Sequence, residues 1–377
     1  MRVEPAVTQT TSPRIDPGAR GQRRSAIRDL RNLIRTLIYR TGALSLYHRL
    51  RNRRTLTVVL FHRVLNRSDP RWETSLSPWT VADDTFDECL AFFKRHYTLV
   101  TLDDVRASMR GARRLPPRSL LITFDDGFAD NIDYALPLLR KHGASATVFI
   151  TSDVIGREER LWTEDLLGAI QSGLIQQQEI SGLHRLLVGE STYSADCPKP
   201  TWDLVRRGPE LDKALVEAAL SRLKIDLRRI RHPRQMLTRD EIGRLIIEGL
   251  SIGAHGKTHT SLPLSSNLAA ELHRPRAALT EIMMEHGEGA VDALSFPHGA
   301  YTADIINQAL AAGYRLLFTS ETELCALRNG FLASPLVGRI DVGGQRITSN
   351  GRFRPEILAT SLFRAARRPQ DRHHAGT

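Results

Sequence analysis

Apolar residues recur along this chain in two ways. Short continuous apolar runs alternate with stretches in which apolar residues return every third or fourth position. The runs "LTVVLFHRV", "SLLITFDDG", "SATVFIT", "LSIGAHGKTH", "LSFPHG" and "RLLFTS" read as strands, the last of these as the final one. Between them "DDTFDECLAFFKRHY", "ALPLLRKHG" closed by Gly143, "MLTRDEIGRLIIEG" and "ADIINQALAAGY" read as helices. Apolar strands separated by helices predict a parallel sheet with right-handed crossovers, open or closed into a barrel.

The rhythm fails between about residues 157 and 234, where polar, helix-like segments replace it; these read as a helical insertion near the mouth of the sheet. Residues 1–24, rich in Pro, Gly, Thr and Arg, are expected to be disordered. From Ser25, the expected cap, Ile27, Leu30, Ile34, Leu37 and Ile38 recur at helical spacing, and Thr41-Gly42 ends the pattern. Arg24, Arg28, Arg31 and Arg35 stand between them. Such a basic amphipathic helix reads as a peripheral membrane contact, or as an element packed on the main domain with its arginines solvated. The expected organisation is a basic extension over 1–54, a main domain over 55–345 and a tail over 346–377 that ends in disorder at "RRPQDRHHAGT".

Composition narrows this picture. The chain has 377 residues, 41% hydrophobic and 25% charged, enough for one domain of barrel size with extensions. No apolar run approaches the length of a membrane span, and the N-terminus lacks a secretory pattern, so a cytoplasmic location is expected. Cys89, Cys197 and Cys325 form neither metal-ligand spacings nor a disulfide framework, which favours a reducing compartment. Residues 1–54 hold thirteen arginines against Glu4, Asp16 and Asp29, and so carry ten of the chain's eleven net positive charges. The remainder is nearly neutral, and no nucleic-acid motif accompanies the charge, so no nucleic-acid partner is expected.

The chemistry collects at strand ends. In α/β folds functional residues gather beyond the C-terminal ends of parallel strands. Here those ends carry His62, the pair Asp125-Asp126, His255 with His259, and His298. The spacing H-x-x-x-H is a weak signal alone, since two surface histidines fit it equally. With a carboxylate it forms a common ligand set for a catalytic zinc. Two adjacent aspartates after an apolar strand then make sense if one ligates a cation and the other stays free as a general base. Alternatively, Asp126-Gly127 is a turn and Asp125 a helix cap.

"TFDDG", a later H-x-x-x-H strand end and the Pro-containing "SFPHG" together resemble the polysaccharide deacetylases, the NodB-homology domains of carbohydrate esterase family four, from about Leu56 to Val342. The resemblance implies a distorted (β/α)7-type barrel and metal-dependent removal of N-acetyl groups from amino sugars of a polysaccharide, oligosaccharide or lipid-linked precursor. It implies Asp125 as base and Asp126, His255 and His259 as ligands of a divalent metal. Zinc is expected, and Co2+, Ni2+ or Fe2+ would suit similar ligands. The late L-x-H motif that usually supplies the acid is missing, while "LFHRV" resembles the circularly permuted branch acting on exopolysaccharide, which implies His62 as the acid. In the third motif Ser295 stands where the family has an arginine and His298 where it has a tyrosine. The His298 backbone N–H remains suited to an oxyanion, and the arginine's work is unassigned. Gly256 also replaces the usual Ser or Thr. Trp162 and Tyr301 read as packing residues more than as sugar platforms. Two other readings stay open: a non-catalytic sugar-binding homologue, favoured by the missing arginine, and a deacylase for formyl or O-acetyl groups.

Overall fold

The continuous apolar runs line up side by side as the wall of a barrel. This is a computed structural model; it describes residues 33–367 apart from 74, 76–77, 158–160, 162–165, 167, 171–172, 190–203, 205–210, 212 and 227–233. The expected cap Ser25, the preceding arm, Trp162, Cys197 and the end of the chain fall outside the described residues. Strands β1 (Thr55–Phe61), β2 (Ser119–Phe124), β3 (Thr147–Ile150), β4 (Ser251–Ala254), β5 (Ala293–Ser295) and β6 (Leu316–Phe318) pair in parallel in chain order. Two short strands close the ring: β7 (Leu336–Val337) pairs with β6, and β8 (Ile340–Asp341) pairs with β1. The expected barrel of about seven strands is therefore the observed one.

Every residue of β1 and β2 is buried, because the barrel interior takes one face of each strand and the surrounding helices take the other. Inside lie Leu56, Val58, Leu121, Phe149, Phe318 and Val337. Outside, Val59, Phe61, Leu120, Ile122 and Phe124 meet the helical layer. Phe149 lies over Gly253, its register partner on β4, so closely that a Cβ there would stand 2.4 Å from its ring, so β4 carries glycine there. Truncating Phe149 to alanine would cost about 3–5 kcal/mol.

The helices follow from capping and dipole chemistry. Helices α1 (residues 33–40) and α2 (Ala43–Arg51) form a hairpin turning at Thr41-Gly42. Helix α3 (Asp83–His96) has Asp83 and Asp84 in its first turn and Lys94, Arg95 and His96 in its last, matching its dipole, and buries Phe86, Leu90 and Phe93. Helix α4 (Leu136–His142) stops at Gly143, whose φ of 58° is the left-handed C-cap expected there. Helix α5 (Arg239–Ile247) starts with a capping box between Thr238 and Glu241. Helices α6 (Leu268–Glu285), α7 (Ala303–Ala311) and α8 (Pro355–Arg364) complete the layer. Between β3 and β4, helices Gln177–Val188 and Lys213–Arg222 share a small separate core around Leu183, Leu204 and Val216.

Two expectations are corrected. "RLLFTS" is not the final strand: Glu323–Arg328 follows and runs antiparallel to the foot of β1, and β7 and β8 come after it. These last two were hidden because each has two residues, too few for a recognisable run. The segment read as a tail contains α8, whose Leu358, Leu362 and Phe363 are fully buried.

Candidate active site

Strand alternation aims the polar residues. Leu121 and Thr123 precede Asp125 at two-residue intervals, as Ala293 precedes Ser295, so both continue the interior face above the apolar fill. Asp125 N–H donates to the Phe61 carbonyl, which prolongs the β1–β2 ladder by one residue. Asp126 then leaves it with φ of 77°, a left-handed conformation that aspartate tolerates better than most residues. Gly127 follows at φ 86° under Ile150, whose Cγ2 would stand 3.0 Å from any added Cβ. This turn sends the second carboxylate to a different point from the first.

The "HGKTH" segment is a loop and not a helical turn. His255 N–H still pairs with Ile150, after which Gly256 (φ 71°) and His259 (φ 64°) reverse the chain. Glu271 of α6 holds the loop: its Oε2 accepts from the Lys257 and Thr258 N–H groups at 2.7 and 3.1 Å, and its Oε1 accepts from the Thr258 hydroxyl at 2.7 Å. A Cβ at Gly256 would stand 2.9 Å from Pro297 and 3.2 Å from Glu271, which explains the glycine where the family has Ser or Thr.

Asp126, His255 and His259 meet as expected. His255 Nε2 and His259 Nε2 stand 3.3 and 3.2 Å from Asp126 Oδ1. All three residues are buried, with donor atoms within 4.8 Å of one another. His255 Nδ1 lies 2.9 Å from the Ser295 carbonyl, to which it must donate, so the neutral ring presents its Nε2 lone pair to the cluster. Asp126 Oδ1 is buried yet accepts no hydrogen bond from the described residues. Buried donors converging on one point without satisfying each other fit a cation with two imidazoles and one carboxylate. Electrostatics agree. Burial alone raises the Asp126 pKa, but His259 and His255 outweigh it and hold the carboxyl well below the usual range. Burial lowers the His255 pKa, and Asp125 and Asp126 reverse this and raise it. The cluster thus calls for positive charge.

Asp125 has a partner that the sequence reading missed. Arg339, between β7 and β8, donates Nη1 to Oδ1 and Nη2 to Oδ2, both at 2.7 Å. Its Nη2 also reaches Ser295 Oγ at 2.8 Å, and that hydroxyl donates to Asp125 Oδ2 at 3.0 Å. Arg339 Nε donates to the Thr319 carbonyl at 2.9 Å, and the side chain is fully buried. Burial raises the Asp125 pKa, yet the guanidinium, then His255, bring it below its ordinary value. Ser295 stands where the family's arginine is missing, and Arg339 reaches the Asp125 carboxylate from the link between β7 and β8. The available signal was an arginine inside "LVGRIDV", since buried arginines are rare without a partner.

His62 occupies the gap between β1 and the strand Arg63–Leu65. Its carbonyl accepts from Asn131 Nδ2 at 3.0 Å, its Nδ1 is buried with no partner among the described residues, and its ring stands 5.9 Å from that of Trp79. Phe61 and Phe124 are partners in the β1–β2 ladder, so His62 leaves its strand level with Asp125 and Asp126. Beneath it, fully buried Arg63 donates to Asp130 at 2.9 Å and to Gln235 at 2.8 Å, and Asp130 accepts from Val64 N–H at 3.0 Å. This network ties the strand after His62 to the loop after Asp126. His298 follows β5 in a tight turn with φ 57°. Its Nε2 donates to the His259 carbonyl at 3.1 Å, and the two rings are 4.3 Å apart. Burial first, then His259, drives its pKa well down, keeping the ring neutral. Tyr301 stacks on Phe296 and donates to Glu321 at 2.7 Å, which agrees with a packing role.

Comparison with known proteins gives a consistent result. Residues 112–317 match the family model described as polysaccharide deacetylase. The Bacillus subtilis (strain 168) protein YxkH, named for polysaccharide deacetylase, is 31% identical over 93 residues, 23% of this chain and 33% of that one. The match thus spans about a third of that relative's length. Among solved structures, the Streptococcus pyogenes deacetylase PplD in complex with acetate superposes with a TM-score of 0.51 at 16% identity, covering 82% of this chain and 98% of PplD. IcaB from Ammonifex degensii gives 0.50 at 17%, covering 82% of this chain and 97% of IcaB. At these identities the two structures speak for the fold.

Proposed function

Because this chain belongs to the polysaccharide deacetylase family, we propose that it is a divalent-metal-dependent hydrolase that removes N-acetyl groups from amino sugars of a polysaccharide, oligosaccharide or lipid-linked precursor. One observation carries the reading: Asp125, held by Arg339 through a two-pronged ion pair, stands beside the buried Asp126, His255 and His259. A site that only binds sugar does not need a base beside a cation.

Asp126, His255 and His259 would hold the metal, with zinc the best match to two imidazoles and one carboxylate. When bound, such a cation polarises an acyl oxygen and acidifies water in its reach. Arg339 and Ser295 keep Asp125 ionised and fix its direction, so that it accepts a proton from the attacking water. The hydroxyl adds to the acyl carbon, and the charge on the acyl oxygen meets the His298 backbone N–H. His62 gives its proton to the sugar nitrogen as the C–N bond breaks, and acetate and a free amine leave. Asn131 and the Arg63–Asp130 pair keep His62 at the rim.

The replacement of the third-motif arginine by Ser295 favoured a non-catalytic homologue; Arg339, which donates to the Asp125 carboxylate, speaks against it. The decisive experiment is acetate release from N-acetylglucosamine oligosaccharides by the wild type and by Asp125→Asn. The wild type should release acetate and the variant should not. Equal release by both sinks the mechanism, and no release by the wild type on any acetylated sugar returns the binding reading.

A further inference from the structure

Helices α1 and α2 are turned inside out relative to an ordinary surface hairpin. In α1 the side facing the body is Thr36, whose hydroxyl donates to Glu356 at 3.2 Å, and Tyr39, which stacks on Phe92. Leu33, Ile34, Leu37 and Ile38 are 41–66% exposed. At 3.6 residues per turn these four lie within an arc of about 140°, with Arg35 and Arg40 at its two edges. Helix α2 repeats the arrangement. Leu44 and His48 are buried, the latter stacked on Phe363 at 4.0 Å, while Leu46, Tyr47 and Leu50 are 43–73% exposed. Both helices rest on α3 and α8, so their apolar faces turn away from the same part of the body. Seven of the twelve large apolar side chains exposed among the described residues belong to this hairpin. That concentration sets it apart from the usual scatter of single exposed apolar residues.

Charge selects the occupant. Residues 33–54 contain Arg35, Arg40, Arg49, Arg51, Arg53 and Arg54 and no acidic residue. Arg53 and Arg54 carry the positive surface onward into a cavity they share with Arg114. We propose that the outward face of the α1–α2 hairpin docks on an anionic lipid bilayer, the apolar arc entering the interface and the flanking arginines meeting phosphate headgroups. Tyr47 suits this boundary, with an apolar ring and a polar tip. A second copy fits less well, because a two-fold contact would press the same arginines against one another.

The test uses the full chain and vesicles of phosphatidylcholine alone or mixed with phosphatidylglycerol, read by co-sedimentation. The wild type should bind the mixed vesicles and release as salt rises. The variant Leu33→Ser/Leu37→Ser/Leu46→Ser/Leu50→Ser should lose binding by about tenfold or more. The variant Arg35→Gln/Arg40→Gln/Arg49→Gln should lose the preference for phosphatidylglycerol by about tenfold or more. All seven side chains are exposed, so circular dichroism should report an unchanged fold, and turnover of a soluble oligosaccharide should be unaffected. Absence of vesicle binding, indifference to lipid charge, or unchanged binding by the leucine variant overturns the proposal. Self-association removed by the leucine variant, without vesicle binding, replaces it with a dimer interface. Binding is read without turnover, so it stands or falls apart from the enzymatic assignment.

Discussion

Replacing Arg339 with methionine tests the reading of the site most sharply. The guanidinium donates twice to Asp125 at 2.7 Å and once to Ser295 at 2.8 Å. After the substitution the Ser295 hydroxyl is, among the described residues, the one donor left to that buried carboxylate. Breaking a buried ion pair by removing one partner costs about 3–5 kcal/mol of stability, so the assay must run well below the variant's melting transition. Arg339 is fully buried and cannot touch a sugar, so KM should hold while kcat falls. If its effect runs through the base, the fall should be about 100- to 1000-fold. Arg339→Lys restores the charge without the fork and should recover only part of the rate. A double-mutant cycle with Asp125→Asn decides the matter: a positioning residue has little left to lose once the base is gone. The double variant should therefore be about as slow as Asp125→Asn alone. If the two losses multiply, or if Arg339→Met keeps the wild-type kcat while folded, Arg339 is a structural residue and the account of the base is wrong.

The metal cluster predicts that a chelator abolishes acetate release and that added zinc restores it; His255→Ala and Asp126→Asn should also lose the rise in melting temperature that zinc gives the wild type. A wild type indifferent to chelation would remove the metal from the mechanism. His62→Ala should slow amide hydrolysis by about 100-fold or more, yet barely slow an activated aryl acetate whose leaving group needs no proton. Equal losses on both substrates would show that His62 is not the acid. Far from the site, His48 is neutral in the fold, its pKa lowered to about 4 by burial. Its Nδ1 takes a hydrogen bond from Asn52 and its Nε2 donates to the His96 carbonyl. The unfolded chain binds this proton at a higher pH than the folded one, so stability should fall as pH drops from about 6.5 towards 4. Urea midpoints across that range should show a gentler slope in His48→Gln, and an unchanged slope would contradict the assignment.

What could be read from the chain and what could not divide along one physical line. Strand ends announce themselves because an apolar run stops at a residue that would be costly to bury unpaired; His62, Asp125, Asp126, His255 and His298 all do so, and the fold brings them to one end of one barrel. The six parallel strands and their helices were legible for the same reason, through uninterrupted apolar runs and a clear helix end at Gly143. Arg339 gives no such signal. It stands between two strands of two residues each, where period-two alternation has no length in which to appear. Pairings with β6 on one side and β1 on the other place it. The hairpin was hidden differently. Helical spacing locates an apolar stripe but not which side of the helix the body takes, and here Thr36 and Tyr39 take the inside. The partner of a buried base is therefore best sought as a requirement. With Ser295 where an arginine was expected, the carboxylate of Asp125 still needs a buried cation, and an arginine flanked by apolar residues late in the chain can meet that need.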